Sequence, residues 1–260
     1  MATPRDDDGA IALFDFDCNL MHEDLRDDVE TLLECAAAHG VTEMLVPGAT
    51  IEESEAAVAL CRTRPATLMT LAREADVPAV GECGLDYSPS FPDTSWQKAW
   101  FSAQLDLACT LRKPLFLHER LAHGDFLALI DACRAKFNGY LPPAVVHCFT
   151  GTEDELREYV RRDFYIGVTG YICKKDRGAA LREMLHLVPL HRLVIETDAP
   201  YMGFPKCRSN ESSDRKKQSP NVPSALPLIC TVVAEAVNKT PREVAQLTRA
   251  NARRFLRMAA

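Results

Sequence analysis

The chain has 260 residues, of which 47% are hydrophobic, and this is enough to bury the core of one large α/β domain or of two small ones. No apolar run approaches the ~18 residues that a membrane span requires. The start, Met1 to Asp8, lacks the basic-then-apolar order of a signal peptide. We therefore expect a cytoplasmic or nuclear protein that has no membrane partner.

Charge and cysteine content narrow the class of protein further. The formal net charge of −7 does not favour bulk attraction to polyanions, so a nucleic-acid substrate would need a local basic patch or metal ions to screen its phosphates. The ten cysteines include no C-x-x-C pair, which argues against a disulfide framework and a zinc ribbon. No feature indicates a stable protein partner.

Alternating strands and helices are predicted from the first apolar run onward. The first four elements are a strand over 11–16, a helix over 25–39, a strand over 42–46 and a helix over 51–64. Thr50 and Glu53 predict a capping box at the start of the second helix. A third strand should follow, yet residues 66–75 have helical spacing, and only 66–70 also fits a weak strand.

From residue 78 onward the alternation has no exception. The predicted strands cover 78–82, 114–117, 144–147, 164–169 and 192–196, and the helices between them cover 95–111, 123–137, 153–162 and 177–187. A long polar loop over 201–223 precedes closing helices over 227–238 and 241–258. Such repeats imply parallel strands with helical crossovers. They predict an α/β fold of the TIM-like (β/α) barrel class, formed by a single domain over 1–260 that is distorted or seven-stranded because one strand is missing.

Four of these apolar runs end in a side chain that can bind a metal. The four are Glu82, His118, His147 and Asp198. A lone histidine after an apolar run is more often structural, but the carboxyl ends of parallel barrel strands share one face, so four such residues favour a common site. Imidazole with carboxylate suits Zn²⁺ or Mn²⁺, whereas a carboxylate-rich site leans towards Mg²⁺ or Mn²⁺, and we expect one or two divalent ions.

The end of the first strand offers one more candidate ligand. Asp17 and Asn19 are two residues apart and face the same side of an extended chain. Asp17 is a plausible metal ligand and Asn19 a poor one. A polar turn after the strand is the alternative interpretation of both residues.

Several blocks of the sequence together resemble a known family. They are Gly81-Glu82-Cys83-Gly84-Leu85-Asp86-Tyr87, His147-Cys148-Phe149-Thr150-Gly151, Tyr165-Ile166-Gly167-Val168-Thr169-Gly170 and Glu196-Thr197-Asp198-Ala199-Pro200-Tyr201. In order and spacing they are similar to the signature blocks of the TatD family of metal-dependent deoxyribonucleases, a branch of the amidohydrolase-like TIM barrels. The resemblance extends from about Ile11 to Phe255.

The resemblance implies a divalent-metal phosphodiesterase that trims DNA from the 3′ end, with single-stranded DNA as the expected substrate. It implies that Glu82 bridges two metals and that His118 and His147 hold one of them. Asp198 would bind the other and orient or deprotonate the attacking water. Arg120 and His123 stand at positions similar to a substrate-binding Arg and His of the family.

The chain departs from the family pattern in two places. Asp17-Cys18-Asn19 stands where many members carry His-x-His, and the Gly-x-His-Pro-His block that ends the family's third strand is absent. We expect a seven-stranded barrel closed by direct pairing of 43–46 with 79–81. The alternative is that 66–70 is drawn in as a substitute strand.

Two further hypotheses concern binding and activity. Lys174, Lys175 and the basic residues between Lys206 and Lys217 follow strand ends and could bind phosphate, although a solvated loop is the alternative for the second group. The expected function is a metal-dependent deoxyribonuclease. The alternative is a catalytically impaired, metal- or nucleic-acid-binding relative. A different amidohydrolase activity is disfavoured, because Glu82 occupies the place of the bridging lysine of many such enzymes.

Overall fold

A computed structural model describes residues 11–64, 67–70, 78–91, 93–209 and 220–258. Within these ranges it contains eight strands, all of them paired in parallel. The strands are β1 (Leu13–Asp15), β2 (Val41–Val46), β3 (Leu68–Thr70), β4 (Val80–Asp86), β5 (Leu115–Arg120), β6 (Ala144–Val146), β7 (Tyr165–Val168) and β8 (Leu193–Ile195).

Helices follow or separate the strands, as the sequence predicts. They are α1 (Val29–Ala38), α2 (Ile51–Thr63), α3 (Thr94–Leu111), α4 (His123–Lys136), α5 (Glu153–Arg161), α6 (Ala179–Met184), α7 (Leu226–Ala236) and α8 (Pro241–Phe255). Among these described helices none combines the length and the apolarity that crossing a membrane demands.

The strands form two sheets, or sets of paired strands, that meet at β1 and β8. One sheet has the strand order β1-β2-β3 and the other has the order β4-β5-β6-β7-β8. The Phe16 amide donates a hydrogen bond of 3.2 Å to the Ile195 carbonyl, and the Asp198 amide donates one of 2.8 Å to the Asp17 carbonyl. These bonds join the two sheets into one curved wall that runs from β3 through β1 and β8 to β4.

The third strand corrects the expectation of seven strands. Residues 68–70 pair in parallel with β2, so the preferred prediction, a direct pairing of β2 with β4, is wrong, and the substitute-strand alternative is the one observed. A helix over 66–75 is likewise wrong for 67–70, while 71–75 lie outside the described residues. The physical reason is that the outer edge of β2 carries backbone groups that need partners, as the bond from the Met44 amide to the Thr67 carbonyl shows.

The predicted distortion lies between β3 and β4. No ladder joins these two strands within the described part of the chain. The wall of the barrel is therefore paired everywhere except beside the segment where the sequence lacks the expected block.

An aromatic core fills the inside of the barrel and is closed from below by α8. The Phe16 ring lies 5.7 Å from the Phe116 ring and 5.4 Å from that of Phe255, which belongs to α8. All three side chains are almost fully buried. Dense packing of this kind excludes water from the base of the barrel and leaves the opposite end, where the strands terminate, for polar side chains.

Asn251 ties α8 to the segment before β8 and predicts a large effect on stability. Its buried amide donates to the carbonyls of Leu190 and Leu193, over 2.7 and 2.8 Å. Asn251→Ala leaves both acceptors without this donor, so we expect the free energy of unfolding to fall by ~1–3 kcal/mol in urea denaturation. Gln246→Ala, an exposed change on the same helix, is the control and should alter stability by less than about 0.5 kcal/mol. An equal effect of both substitutions would contradict this role of Asn251.

Candidate metal centre

Glu82 reaches the open end of the barrel because β4 and β5 approach each other unusually closely. Gly84 has φ +158° and pairs with His118, and a Cβ atom on Gly84 would lie 1.8 Å from the His118 carbonyl oxygen. Only glycine fits this position. Gly84 therefore lets β4 and β5 approach closely enough to place Glu82 and His118 side by side.

Three ligand atoms from β4, β5 and the end of β6 meet at one point. The Glu82 Oε1 atom lies 2.8 Å from His147 Nε2 and 3.1 Å from His118 Nδ1. The two histidine nitrogens lie 3.1 Å from each other. An ion about 2.0–2.2 Å from each ligand atom would hold such atoms roughly 3–3.5 Å apart, so this separation matches that of a shared metal.

The second nitrogen of His147 faces carboxylates from the other side of the barrel. His147 Nδ1 lies 3.1 Å from Asp17 Oδ2 and 3.7 Å from Glu196 Oε1. Asp17, His147 and Glu196 form a second group of buried side chains that could hold an ion. His147 thus faces both candidate positions, and because a neutral imidazole has one acceptor nitrogen it can bind an ion at one of them while its other nitrogen donates to a carboxylate.

Asp198 follows β8 and lies beside Asp17. Its backbone has φ +56°, and its amide donates to the Asp17 carbonyl. The negative charges of Asp17, Glu196 and Glu82 all act on the Asp198 carboxyl group, which places it in the same electrostatic environment. Asp198 is absent from the two groups of mutually close ligand atoms among the described residues, so its participation as a metal ligand stays a prediction.

Burial and mutual repulsion change the proton affinities of these groups. Burial raises the pKa of Asp17 to about 7, against the opposing effect of His147. Burial, followed by repulsion from Asp17, raises the pKa of Asp198 well above its usual range. Burial alone would lower the pKa of His147, but attraction to Glu82 and contacts with Asp17 and Glu196 raise it instead. Without a bound cation, part of this cluster holds protons that a metal would displace.

Two buried polar atoms favour the interpretation of this cluster as a metal centre. His147 Nδ1 and Glu196 Oε2 are buried and lack a hydrogen bond of acceptable geometry within the described structure. Leaving such atoms unpaired costs free energy, and a cation between them would satisfy both. The donor set of imidazole and carboxylate fits Zn²⁺ or Mn²⁺ at the Glu82 position and equally accepts Mg²⁺ where carboxylates dominate.

The comparisons with known proteins agree with this geometry. The family model described as TatD related DNase matches residues 14–257. The chain belongs to this family.

Curated TatD relatives match nearly the whole chain. Proteins named 3'-5' ssDNA/RNA exonuclease TatD from Cronobacter sakazakii and Salmonella typhimurium are 39% and 36% identical to it over 264 and 262 aligned residues. These alignments cover 94% and 93% of this chain and 97% of each relative.

Solved structures of the TatD family share the fold. The crystal structure of YJJV, a TatD homolog from Escherichia coli K12, has a TM-score of 0.82 at 25% identity and covers 95% of this chain and 98% of that chain. A hydrolase TatD family protein from Entamoeba histolytica, with a TM-score of 0.79 at 22% identity, covers the same shares and shows the fold alone. The predicted TIM-like barrel and the predicted family are confirmed.

The predicted substrate-binding residues of this TatD protein lie after β5 and β7. Arg120 ends β5 and is exposed, and His123 begins α4. Lys174, which is half-buried, and Lys175, which is exposed, follow β7, and Arg182 donates hydrogen bonds to their backbone carbonyls. Of the other predicted basic residues, Lys206 and Arg208 are described, whereas Arg215, Lys216 and Lys217 lie outside the described residues.

His123 is held in one orientation by its neighbours. The Tyr159 hydroxyl donates its proton to Glu119 Oε2 over 2.8 Å. The oxygen of this hydroxyl therefore accepts a hydrogen bond from His123 Nδ1 at 2.9 Å. In the neutral ring this leaves Nε2 as an acceptor, and in the protonated ring it leaves Nε2 as a donor. The contact therefore fixes the orientation of the His123 ring, whose predicted role in substrate binding stays a prediction.

The sequence analysis missed three carboxylate partners, of which two contact predicted ligands and one contacts Asn19. Glu196 contacts His147 and also accepts a 2.6 Å hydrogen bond from the Cys148 amide. Asp86 Oδ2 lies 3.4 Å from His118 Nε2 and orients that ring. Glu196 precedes Asp198 by two residues and Asp86 belongs to the same family block as Glu82, so proximity in the sequence was the available signal.

The third partner, Glu53, also corrects the predicted capping box. Thr50 accepts from the Glu53 amide as expected, but the Glu53 carboxylate accepts from the Ala49 amide and from Asn19 Nδ2, over 2.9 and 3.1 Å. Asn19 therefore has a structural partner, in agreement with its expected weakness as a ligand.

Metal binding at the Glu82 position should be visible as thermal stabilisation. Adding Mn²⁺ to EDTA-treated protein at about 100 times the dissociation constant stabilises the native state by ~2.7 kcal/mol, which corresponds to a rise of roughly 5–10 °C for a domain of this size. His118→Ala, at a side chain that is 32% exposed, should remove most of this rise, because it deletes one of three ligands.

The matched control is His186→Ala, which removes an exposed histidine on the segment before β8. It should keep the full rise in differential scanning fluorimetry. Identical shifts in the two variants would mean that the ion binds elsewhere.

Proposed function

We propose that this protein is a metal-dependent exonuclease that hydrolyses phosphodiester bonds at the 3′ end of single-stranded DNA. The observation that carries the proposal is the convergence of Glu82, His118 and His147 on one point at the open end of a TatD-family barrel. The curated relatives are named as exonucleases of both single-stranded DNA and RNA, which supports RNA as a second substrate.

One or two divalent ions complete the proposed centre. Bound ions would polarise the scissile phosphate and lower the pKa of a water molecule, which is the chemistry that hydrolysis of a phosphodiester requires. Glu82, His118 and His147 would hold one ion. Asp17 and Glu196, which both face His147 Nδ1, would hold the other, and Asp198, beside Asp17, is the further ligand that we propose for it. The identity of the metal is part of the proposal, with Mg²⁺, Mn²⁺ and Zn²⁺ as candidates.

Asp198 is the proposed base. Its carboxylate follows β8 in the same electrostatic environment as Asp17, Glu196 and Glu82, and a carboxylate in this place can accept a proton from a water molecule. In the proposed step a water molecule attacks phosphorus and its proton passes to the Asp198 carboxylate. The phosphorus–oxygen bond to the remaining chain then breaks, and the leaving oxygen takes up a proton. Glu82, close to both histidines, fixes the geometry around the attacked phosphorus.

Positive and hydrogen-bonding groups beside the centre are proposed to bind the substrate phosphates. Arg120 and His123 follow β5, directly after the strand that carries His118. Lys174 and Lys175 follow β7 at the same end of the barrel. An excess of negative charge in the chain makes such local cations necessary for binding DNA. A cytoplasmic location, one domain over 1–260 and the absence of a stable protein partner stay predictions from the sequence.

Degradation of a 3′-labelled single-stranded oligonucleotide by metal-loaded protein is the direct test. Release of labelled mononucleotide that stops with EDTA is the expected result. Metal uptake without any degradation of DNA or RNA would instead favour the impaired relative, for which the lack of pairing between β3 and β4 among the described residues provides a structural reason.

Asp198→Asn should separate turnover from metal retention. The amide cannot accept the proton, so we expect kcat to fall by about 10²–10⁴-fold, the usual contribution of a positioned base. Metal content, measured by mass spectrometry, should fall far less than in Glu82→Ala, which deletes a ligand. Asp27→Asn, at an exposed aspartate outside the cluster, is the control. Equal loss of metal from the Asp198 and Glu82 variants would remove the base role from Asp198.

Replacing Lys174 and Lys175 with Ala should weaken DNA binding and reduce the dependence of the binding affinity on salt concentration. Each contact between a cation and a phosphate of a single strand contributes a slope of about 0.7 in log–log plots against salt, so the double variant should lose roughly 1.4. The double variant Lys136→Ala/Lys239→Ala removes two exposed lysines from α4 and from the turn before α8, and should keep the slope. An unchanged slope after loss of Lys174 and Lys175 would assign these residues to the solvated surface.

A further inference from the structure

An exposed aromatic ring stands at the edge of the metal centre. The Tyr201 side chain belongs to a residue that is 56% exposed, although it follows Asp198 by only three positions. The Tyr201 amide donates a 2.7 Å hydrogen bond to the Asp198 carbonyl, which forms a tight turn directly after the proposed base. The ring therefore projects into solvent beside the groups that would act on the scissile phosphate.

This ring is held by a second loop. The Tyr201 hydroxyl lies 3.1 Å from His22 Nε2, and the two rings make an edge contact at 5.4 Å and 77°. His22 belongs to the segment after β1, and its amide donates to the Asn19 carbonyl. Tyr201 thus connects the loop that carries Asp198 with the loop that carries Asp17.

The protonation pattern of this pair leaves a donor for a ligand. The Asp24 amide donates to His22 Nδ1 over 3.1 Å, so in the neutral ring the proton is on Nε2 and points at the tyrosine oxygen. The hydroxyl proton of Tyr201 is then free to turn elsewhere. Tyr201 consequently offers a flat apolar face and one donor.

Single exposed hydrophobic side chains are common and need no function. Tyr201 differs because its tip is anchored, so ordering it on binding costs little conformational entropy. An immobilised, neutral aromatic face next to a phosphate-cleaving centre is the kind of surface on which nucleobases stack.

We propose that Tyr201 is the stacking surface for the nucleobase at the cleaved 3′ end of the substrate. The inference rests on the proposed nuclease function and adds a recognition element to it. Tyr201 is a positioning residue: it would hold the terminal nucleotide so that its phosphate meets the metal centre. Because stacking tolerates every base, the proposal predicts preference for the presence of a base without preference for its identity.

The test compares a short single-stranded oligonucleotide with one whose 3′-terminal nucleotides lack bases. Both binding, by fluorescence anisotropy of a 5′ label in EDTA, and metal-dependent hydrolysis are measured. The wild-type protein should prefer the normal substrate by roughly 5- to 150-fold. Tyr201→Ala should bind and hydrolyse the normal substrate less well by that same factor. Its affinity and rate on the abasic substrate should equal those of the wild type, so the preference should disappear.

Two variants distinguish stacking from a structural role. Tyr201→Phe keeps the ring and should retain a preference for the normal substrate, smaller than that of the wild type because it loses the anchoring contact with His22. Trp100→Ala removes another aromatic ring, 59% exposed, from the second turn of α3 and should behave as wild type. Thermal unfolding of each variant verifies that it is folded.

Each outcome decides the inference. Equal losses on normal and abasic substrates in Tyr201→Ala would show that the residue only supports the loops, and the inference would be wrong. A wild-type protein without base preference would also overturn it. A preference in binding that depends on Tyr201, found in a protein that hydrolyses neither substrate, would support stacking while removing the proposed nuclease function.

Discussion

The concentration of negative charge at the open end of the barrel is the constraint on which the site depends. Asp15, Asp17 and Glu196 are each at most 2% exposed, and His147 is the basic side chain buried among them. Asp15 is satisfied by two hydrogen bonds from Thr197, of 2.7 and 2.6 Å. The carboxylates of Asp17 and Glu196 have fewer hydrogen-bond donors around them than they have lone pairs. Burying a carboxylate without enough partners costs free energy. A bound cation would offset this cost, so the fold favours a metal at the place where the chemistry would use it.

The general position of the site could be predicted from the sequence, because parallel strands bring their carboxyl ends to one face regardless of local detail. Glu82, His118 and His147 were found for that reason. Which nitrogen of His147 faces which carboxylate could not be predicted, because it depends on ring rotation and on the stagger between strands. Glu196 was overlooked as a ligand because it immediately follows β8, where a buried side chain and a site side chain have the same pattern.

The third strand could not be predicted because two effects compete there. Helical spacing over 66–75 is a local property, whereas the unpaired edge of β2 is a property of the assembled sheet. Pairing of Leu68 with Met44 satisfies backbone groups that a helix would leave open, and this outweighs a weak intrinsic preference. The gain is incomplete, since among the described residues the β4 side of the gap has no ladder partner. Loss of the family's third-strand block is thus accommodated on one side of the gap only.

The aromatic core connects the closing helix to the metal centre. The His147 ring packs 5.0 Å from Phe116, and Phe116 packs on Phe16, which in turn contacts Phe255 of α8. Close-packed rings transmit small displacements, because a gap of even 0.5–1 Å forfeits a quarter to a half of the contact energy. His147 has one nitrogen facing Glu82 and the other facing Asp17, and both contacts depend on the orientation of the ring, which this packing fixes. The C-terminal helix, far from the reacting atoms, is therefore part of what orients this candidate ligand.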